Sequence, residues 1–401
     1  MLILVLNSGS SSIKFALRQV PDAAGDGAGA VLAAGVVERI GDGPAGMDTA
    51  TLHGRALDAI NQEISGVLAG RRIDAVGHRV VHGGERFFAP TLLTGEIVQE
   101  LEQLSALAPL HNPASMLGIR AVGAFWPGTP QVAVFDTAFH RTLPESAWRY
   151  AIPDELYRRH GIRRYGFHGT SVEYVTGHAC THLGIPVEEF DGVVAHLGNG
   201  ASLTAIRGGA SIDTSMGFTP LAGLVMGTRC GDIDPSIVLY LQRQGMDADA
   251  IEELLDVQSG LRALCGLTDM RAVQDAADAG EAHAILALES AAYRLAKYIG
   301  GYHVAVGGAK YLVFTAGIGE NSWQFRSLVV AKLAPLGAVL DQEANQMPPR
   351  GPRTISTPDS ALRILVVPTD EDRAIAESTA AVVRDSQVRD SQVKDSQAKA
   401  S

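Results

Sequence analysis

Cysteine and long apolar runs are scarce in this chain, and each scarcity excludes a class of protein. The 401 residues contain three cysteines, Cys180, Cys230 and Cys265, which are odd in number and far apart. This arrangement supports neither a disulfide framework nor a paired Cys-x-x-Cys metal site, and it favours a reducing compartment. No apolar run approaches a membrane span, and residues 2–6 are too short and lack the basic flank of a signal peptide. We therefore expect a cytoplasmic protein.

Basic residues are also in deficit. The chain has 33 Lys and Arg against 44 Asp and Glu, which gives a net charge of −11. No basic stretch is interleaved with aromatic residues in the way that nucleic-acid-binding grooves require. We therefore expect neither nucleic acid nor a membrane as a partner. Anionic small molecules are not excluded as substrates, because a few arginines in a cleft can reverse the local potential.

The chain also lacks any Gly-Lys dipeptide, and this excludes a P-loop. What it does contain is the composition of a globular protein, with 46% apolar and 19% charged residues. A single core seldom grows beyond about 250–300 residues, so the length predicts two domains. A cleft between two domains is the usual place for a ligand.

Two short strand–turn–strand patterns mark the beginnings of two halves of the chain. Residues 2–6 and 12–18 read as strands around the turn Asn7-Ser8-Gly9-Ser10-Ser11, and residues 192–197 and 201–206 repeat the pattern around Gly198-Asn199-Gly200. Glycine, hydroxyl groups and one cation, Lys14, are what a phosphate-binding turn needs, although an ordinary hairpin could have the same polar turn. The repetition indicates a duplicated α/β domain.

A third segment resembles a dinucleotide-binding fingerprint. A strand at Tyr311–Thr315 runs into Gly317-x-Gly319, a helix is expected from about Ser322, and Asp341 follows another strand near residue 338. Ser322 occupies the third glycine position, which weakens the match. A nicotinamide-dependent oxidoreductase is therefore an alternative at this point.

Arginines and one aspartate stand where α/β proteins present functional side chains. Arg79 follows the start of a strand at residue 75, Asp136 follows the strand at 131–135, and Arg229 lies in the glycine-flanked run Gly227–Gly231. Each could instead form a structural ion pair. Together they would supply cations for a charge-dense transition state and a carboxylate for a metal ion.

The chain resembles the acetate kinase family over residues 2–375. The resemblance rests on ordered motifs, which are LNSGSSSIKF at 6–15, GHRVVHGG at 77–84, FDTAFH at 135–140, RYGFHGTS at 164–171, AHLGNGAS at 195–202, MGTR at 226–229, GDIDP at 231–235 and FTAGIGEN at 314–321. It implies an α/β fold of two duplicated actin-like (ribonuclease H-like) domains, hinged around a nucleotide cleft. The expected boundaries are 1–140 completed by a helix at 372–384, then 141–371, and a disordered tail at 385–401.

The resemblance also implies which residues bind ATP and magnesium. The expected nucleotide contacts are Ser10, Ser12, Lys14, His196, Leu197, Gly198, Asn199, Gly200, Asp269, Met270, Arg271, Gly317, Ile318, Gly319, Glu320 and Asn321. Asn7 and Glu371 match the positions associated with Mg²⁺, which Mn²⁺ could replace. These assignments turn the third segment from a dinucleotide fingerprint into part of an adenosine site.

For the reaction, the resemblance places Arg79 on the acetate carboxylate, Arg229 and His168 on the transferring phosphoryl group, and Asp136 as an essential acid. Acetate is already ionised at neutral pH and needs no general base, so we expect Asp136 to orient magnesium or Arg79. The acetate methyl group is expected to contact Val81, Leu110, Phe167 and Pro220.

The implied activity is reversible, Mg²⁺-dependent transfer of the ATP γ-phosphoryl group to acetate, which gives acetyl phosphate and ADP. A propionate or butyrate kinase differs mainly in the size of the acyl pocket, and a non-catalytic, ATP-dependent actin-like switch is the alternative from another class. The resemblance further implies a homodimer.

Overall fold

The structure is a computed structural model that describes residues 1–9, 11–21, 29–38, 40, 49–107, 112–348 and 350–400. The chain divides into two compact units, Met1–Ala138 with Asp370–Ser401, and Phe139–Thr369. These boundaries differ from the expected ones by two residues at each crossing. Within the described ranges, no helix is both long enough and apolar enough to cross a membrane.

The described residues form two six-stranded sheets. The strands are β1 (Leu2–Ser8), β2 (Ser12–Gln19), β3 (Val31–Glu38), β4 (Ala75–Val80), β5 (Thr91–Leu92), β6 (Gln131–Phe135), β7 (Gly192–Leu197), β8 (Ala201–Arg207), β9 (Ala210–Thr214), β10 (Tyr311–Thr315), β11 (Arg353–Thr354) and β12 (Arg363–Val366).

The helices of the described ranges surround these sheets in sequence. They are α1 (Thr49–Leu68), α2 (Gly95–Gln103), α3 (Asn112–Phe125), α4 (Glu145–Trp148), α5 (Asp154–His160), α6 (Gly169–Leu183), α7 (Ser236–Arg243), α8 (Ala248–Asp256), α9 (Gly260–Cys265), α10 (Met270–Asp278), α11 (Ala282–Val306), α12 (Ala316–Asn321), α13 (Trp323–Lys332), α14 (Gln342–Gln346) and α15 (Glu371–Ala400).

The two sheets have the same strand order. The first runs β3-β2-β1-β4-β6-β5, and the second, read from its other edge, runs β9-β8-β7-β10-β12-β11. In each sheet three antiparallel strands lead into two parallel neighbours, and a short antiparallel strand closes the far edge. This correspondence confirms the predicted duplication of an α/β domain.

The core of the first unit includes residues from both ends of the chain. Buried Ile3, Val5 and Val132 of the sheet pack against Ile375 and Ala380 of α15. Gly77 in β4 allows this close approach, because a Cβ there would lie 2.4 Å from Thr379 Oγ1.

The expected disordered tail is corrected by the structure, in which α15 continues to Ala400. Composition suggested disorder because large apolar residues are few beyond Asp385. The same segment has no Gly or Pro, and it places Asp385 four residues before Arg389, a spacing that supports a helix.

The second unit is built around α11, which is longer than the sequence suggested. The amphipathic pattern predicts a helix from Ala282 to about residue 299, but α11 runs to Val306 and ends at the left-handed Gly307. Gly300 and Gly301 do not end it, because helix interiors tolerate glycine at a cost of about 1 kcal/mol each.

The strand order also contradicts the dinucleotide-binding alternative. β10 is flanked by β7 and β12, and the chain after α13 forms only an isolated bridge at Leu340. Asp341 caps α14 through its side chain instead of following a parallel strand. The segment after β10 is therefore not a βαβ dinucleotide unit.

Candidate functional site

Arg79 and Asp136 form the charged centre of the first unit. Because β4 and β6 are parallel neighbours, Arg79 near the end of β4 and Asp136 directly after β6 lie at the same edge of the sheet. Arg79 Nη2 donates to Asp136 Oδ2 at 2.6 Å, and Nε donates to Oδ1 at 3.0 Å. This two-point contact fixes the plane of the guanidinium in a way that a lysine ammonium cannot reproduce.

Glu371, the first residue of α15, adds a second carboxylate beside Arg79, with Oε2 at 3.7 Å from Arg79 Nε. Burial raises the pKa of Glu371, the Arg79 charge opposes this, and Asp136 and Asp372 raise it further. Burial alone would lower the pKa of Arg79, but Asp136 and Glu371 outweigh burial and raise it. The cluster holds more carboxylate charge than Arg79 balances, and this favours a further cation.

Asn7 and Lys14 face each other across the hairpin of β1 and β2. Lys14 is exposed, and its charge reaches Glu371, whose pKa it lowers. Half-buried Ser12 begins β2, and its carbonyl oxygen accepts from the Gly9 N–H at 2.8 Å. The hairpin therefore contributes a cation and polar groups on the Glu371 side of the unit.

Asn7 and Glu371 are the candidates to hold Mg²⁺. Among the residues that the structure describes, no group of three or more His, Cys, Asp or Glu is placed to bind a metal. Mg²⁺ needs no such cage, because it binds through one or two carboxylates and takes its other oxygens from water and substrate phosphates. The oxygen donors of Asn7 and Glu371, and the surplus carboxylate charge near Arg79, fit this cation.

In the second unit, Arg229 and His168 converge on Gly200. A Cβ at Gly200 would lie 3.3 Å from Arg229 Nη1 and 3.7 Å from His168 Nε2. Gly200 belongs to the turn between β7 and β8, and His168 adopts a left-handed conformation with φ 59° directly before α6. Two potentially cationic side chains thus lie against the backbone of one polar turn.

The histidines of this unit are fixed by hydrogen bonds and by stacking. The rings of His168 and His196 stack with centroids 4.1 Å apart, and His168 Nδ1 is 2.9 Å from Ser202 Oγ. His196 Nδ1 lies 2.8 Å from Ser171 Oγ, which in turn contacts Thr369 Oγ1 at 2.7 Å. The free edge of His168 is therefore held towards Gly200.

Arg229 is held only loosely by other side chains. Its Nη1 donates to the Pro220 carbonyl oxygen at 3.3 Å, and its Nε lies 3.5 Å from Asp256 Oδ1. Burial lowers the pKa of Arg229, and Asp256 only partly opposes this. An incompletely neutralised guanidinium at a glycine turn is suited to bind a phosphoryl oxygen.

A cleft of about 650 Å³ opens in the second unit, within the usual size range of small-molecule sites. It is lined by Gly198, Asn199, Thr268, Asp269, Met270, Arg271, Gly317, Ile318, Asn321 and Ser322. The structure thus brings together the segments that the sequence assigned to the nucleotide. Thr268 and Ser322 were missed, although each directly adjoins an assigned segment.

Some of the expected nucleotide residues do not line this cleft. His196 and Leu197 are buried in β7, and Gly319 lies 3.6 Å from the Ala195 carbonyl oxygen when a Cβ is placed on it. Glu320 Oε1 accepts from the Thr369 N–H at 3.0 Å. These residues support the cleft from behind.

The lining helix α12 is held by Arg326, which the sequence reading missed. Arg326 is 1% exposed, and its Nη1 donates to the carbonyl oxygens of Gly319 and Glu320, each at 2.9 Å. Nε donates to Asn345 Oδ1 at 2.7 Å. Burial lowers the pKa of Arg326 to about 10, so it stays charged at neutral pH. Its signal in the sequence is a charge within the apolar face of α13.

The residues expected around the acetate methyl group belong to both units. Val81 directly follows β4, Phe167 is buried beside His168, and Pro220 contributes its carbonyl oxygen to Arg229. Leu110 and the ATP candidate Ser10 lie outside the described residues.

A model described as the Acetokinase family matches residues 2–377. The acetate kinase of Arthrobacter sp. (strain FB24) is 60% identical over 391 residues, which cover 96% of this chain and 100% of that protein.

Solved structures of the same kind match along almost the whole chain. The Porphyromonas gingivalis acetate kinase has a TM-score of 0.87 at 40% identity and covers 95% of this chain and 99% of its own. A propionate kinase from Francisella tularensis subsp. tularensis SCHU S4 has a TM-score of 0.84 at 40% identity, with coverages of 94% and 98%.

Proposed function

Because the chain belongs to the acetokinase family and is a phosphotransferase with a carboxyl group as acceptor, we propose that its reaction is the reversible, Mg²⁺-dependent phosphorylation of acetate by ATP. The products are acetyl phosphate and ADP. One observation carries this proposal furthest. The cleft reaches Gly198 and Asn199, and Arg229 and His168 meet at the next residue, Gly200.

This arrangement supports a defined direction for the nucleotide. The adenosine occupies the cleft between residues 268–271 and 317–322, and the phosphates run towards the turn at Gly200. Arg229 and His168 then stabilise the charge on the equatorial oxygens of the transferring group. In a loose, in-line phosphoryl transfer, such positioning and charge stabilisation make up most of the catalysis.

Arg79 binds the acetate carboxylate in this proposal, and Asp136 orients Arg79. Asp136 uses both carboxylate oxygens on Arg79, and this leaves the outer edge of the guanidinium for a substrate anion. Acetate is ionised at neutral pH, so no proton is removed by Asp136. The methyl group contacts Val81, Phe167, Pro220 and Leu110.

Asn7 and Glu371 would hold Mg²⁺, for which Mn²⁺ could substitute. When bound, the ion neutralises phosphate charge and helps to align the transferring group. Lys14 and Ser12, with Ser10, would contact the phosphates beside it. Family membership is also the basis for proposing a cytoplasmic homodimer, which light scattering of the purified protein would test.

The test is formation of acyl phosphate from ATP and Mg²⁺, trapped with hydroxylamine. Acetate, propionate and butyrate are compared in parallel, with Arg229→Ala as the inactive control. We expect acetate to give the highest kcat/KM, because each added methylene changes binding in a pocket by about 1–3 kcal/mol. ATP binding without acyl phosphate from any of the three acids would support a non-catalytic switch instead.

Propionate is the second candidate substrate, because the propionate kinase structure matches this chain at the same 40% identity as the acetate kinase structure. A higher kcat/KM for propionate than for acetate in the same assay would favour it.

A further inference from the structure

Residues 215–235 connect β9 to α7 without any helix or strand, and Arg229 lies within this connection. Its central part, residues 223–232, is closed on itself and is named the arginine loop. The Asp232 N–H donates to the Gly223 carbonyl oxygen at 3.0 Å. The Gly223 N–H donates to Asp232 Oδ1 at 2.8 Å. Asp232 therefore joins both ends of the arginine loop.

Helix α11 holds the same two ends. Arg294 Nη1 donates to the Gly223 carbonyl oxygen at 3.1 Å and to the Asp232 carbonyl oxygen at 3.2 Å. The Tyr298 hydroxyl donates to Asp232 Oδ2 at 2.6 Å. Arg294 and Tyr298 are one turn apart on a helix of 25 residues, which makes a rigid support.

The interior of the arginine loop leaves little freedom to its backbone. Gly231 is left-handed with φ 67°, and a Cβ there would lie 2.2 Å from the Leu224 carbonyl oxygen. The Met226 N–H donates to the Arg229 carbonyl oxygen at 3.2 Å. The backbone of Arg229 is thus fixed by the loop, whereas its guanidinium has only the two long contacts to Asp256 and Pro220.

We propose that Asp232, held by Tyr298 and Arg294, is a positioning residue that sets the place of the Arg229 guanidinium for phosphoryl transfer. The inference rests on the proposed function, since it assigns Arg229 to the transferring group. A misplacement of about 1 Å can reduce a reaction rate about 100-fold. Because side chains hold Arg229 weakly, the closure of its loop has to supply the precision.

The first measurement compares Asp232→Ala with Asp232→Asn. The alanine variant loses both the Gly223 and the Tyr298 hydrogen bonds, and we expect kcat to fall about 10-fold or more. The asparagine variant can still accept from Gly223 N–H, and its amide can donate to the Tyr298 oxygen, so most of kcat should return. The KM for acetate and the affinity for ADP should stay within about 3-fold of wild type, because neither site includes Asp232.

A double-mutant cycle separates positioning from general support of the fold. If Asp232 acts through Arg229, Asp232→Ala should lower kcat less than about 3-fold in an Arg229→Lys background. The same loss in both backgrounds, or an unchanged kcat in Asp232→Ala, would overturn the inference.

Tyr298→Phe provides an independent variant should Asp232→Ala fail to fold. We expect it to lower kcat about 3-fold or more, whereas Tyr293→Phe, an exposed tyrosine on the same helix, should have no effect. Equal kcat in both tyrosine variants would count against the positioning role. Absence of acyl phosphate from the wild-type protein would instead overturn the proposed function on which the inference rests.

Discussion

At the scale of single residues, the guanidinium of Arg79 contributes geometry as well as charge. Asp136 is almost fully buried and binds Arg79 at two points, so the orientation of the free edge is set before any substrate arrives. Preorganised groups of this kind cost no reorganisation during the reaction.

Arg79→Lys should therefore impair turnover severely although it preserves the charge. An ammonium cannot occupy both Asp136 oxygens and present a planar edge to acetate, and we expect kcat/KM for acetate to fall about 100-fold or more. Arg86→Lys is the matched control, because Arg86 is 70% exposed and pairs with Glu100 on the surface. A value for Arg79→Lys near that of wild type would refute the assigned role.

Cys230, next to Arg229, should react slowly with alkylating agents. Burial raises the pKa of its thiol, and Asp256 and Asp232 raise it further. Because the thiolate is the reactive form, its fraction at pH 7.5 is smaller in the folded chain than in the unfolded chain. Iodoacetamide labelling followed by mass spectrometry should therefore be slower before denaturation, with Cys230→Ser to identify the site. Equal rates in both states would contradict this.

At the scale of elements, α15 and β4 meet without space between them. A Cβ on Gly77 would lie 2.4 Å from Thr379 Oγ1 and 2.8 Å from Ile375 Cγ2. We expect Gly77→Ala to reduce the free energy of unfolding by about 1–3 kcal/mol, the usual cost of overpacking. Gly54→Ala, inside α1 with nothing within 4 Å, should instead stabilise by about 0.5–1 kcal/mol. Urea denaturation of both variants measures the difference, and equal midpoints would refute it.

The elements also show what local sequence can and cannot predict. The hairpin of β1 and β2 could be predicted because alternating apolar residues and a glycine turn are local signals. The contact of Ser171 with Thr369 could not, because 198 residues separate them and neither belongs to a pattern of its own. The same holds for Arg326 and for the closure of the arginine loop by α11, since long-range contacts decide these positions.

At the scale of the whole molecule, the cleft belongs to one unit alone. All the residues that line it lie between Gly198 and Ser322 of the second unit, whereas Arg79 and Glu371 belong to the first. Binding of nucleotide and turnover should therefore be separable by substitution.

We expect ADP to raise the melting temperature of Arg79→Lys as much as that of wild type, since a ligand stabilises according to its affinity. Gly317→Leu should lose this shift, because Gly317 lines the cleft and nothing within 4 Å opposes a Cβ there, so the side chain fits but fills the space. Differential scanning fluorimetry with and without ADP measures both. A full ADP shift in Gly317→Leu would argue against nucleotide binding in this cleft.

The chain leaves its first unit after Ala138 and returns to it at Asp370. The unit that is begun first during synthesis is therefore the last to be finished. While residues 139–369 emerge from the ribosome, the face of the first sheet that α15 will cover, with Ile3, Val5 and Val132, has no helix to bury it. The second unit can fold as soon as it has emerged, but the first needs almost the last residues of the chain. Release of the finished polypeptide, and not the start of translation, sets the moment at which Glu371 can join Arg79.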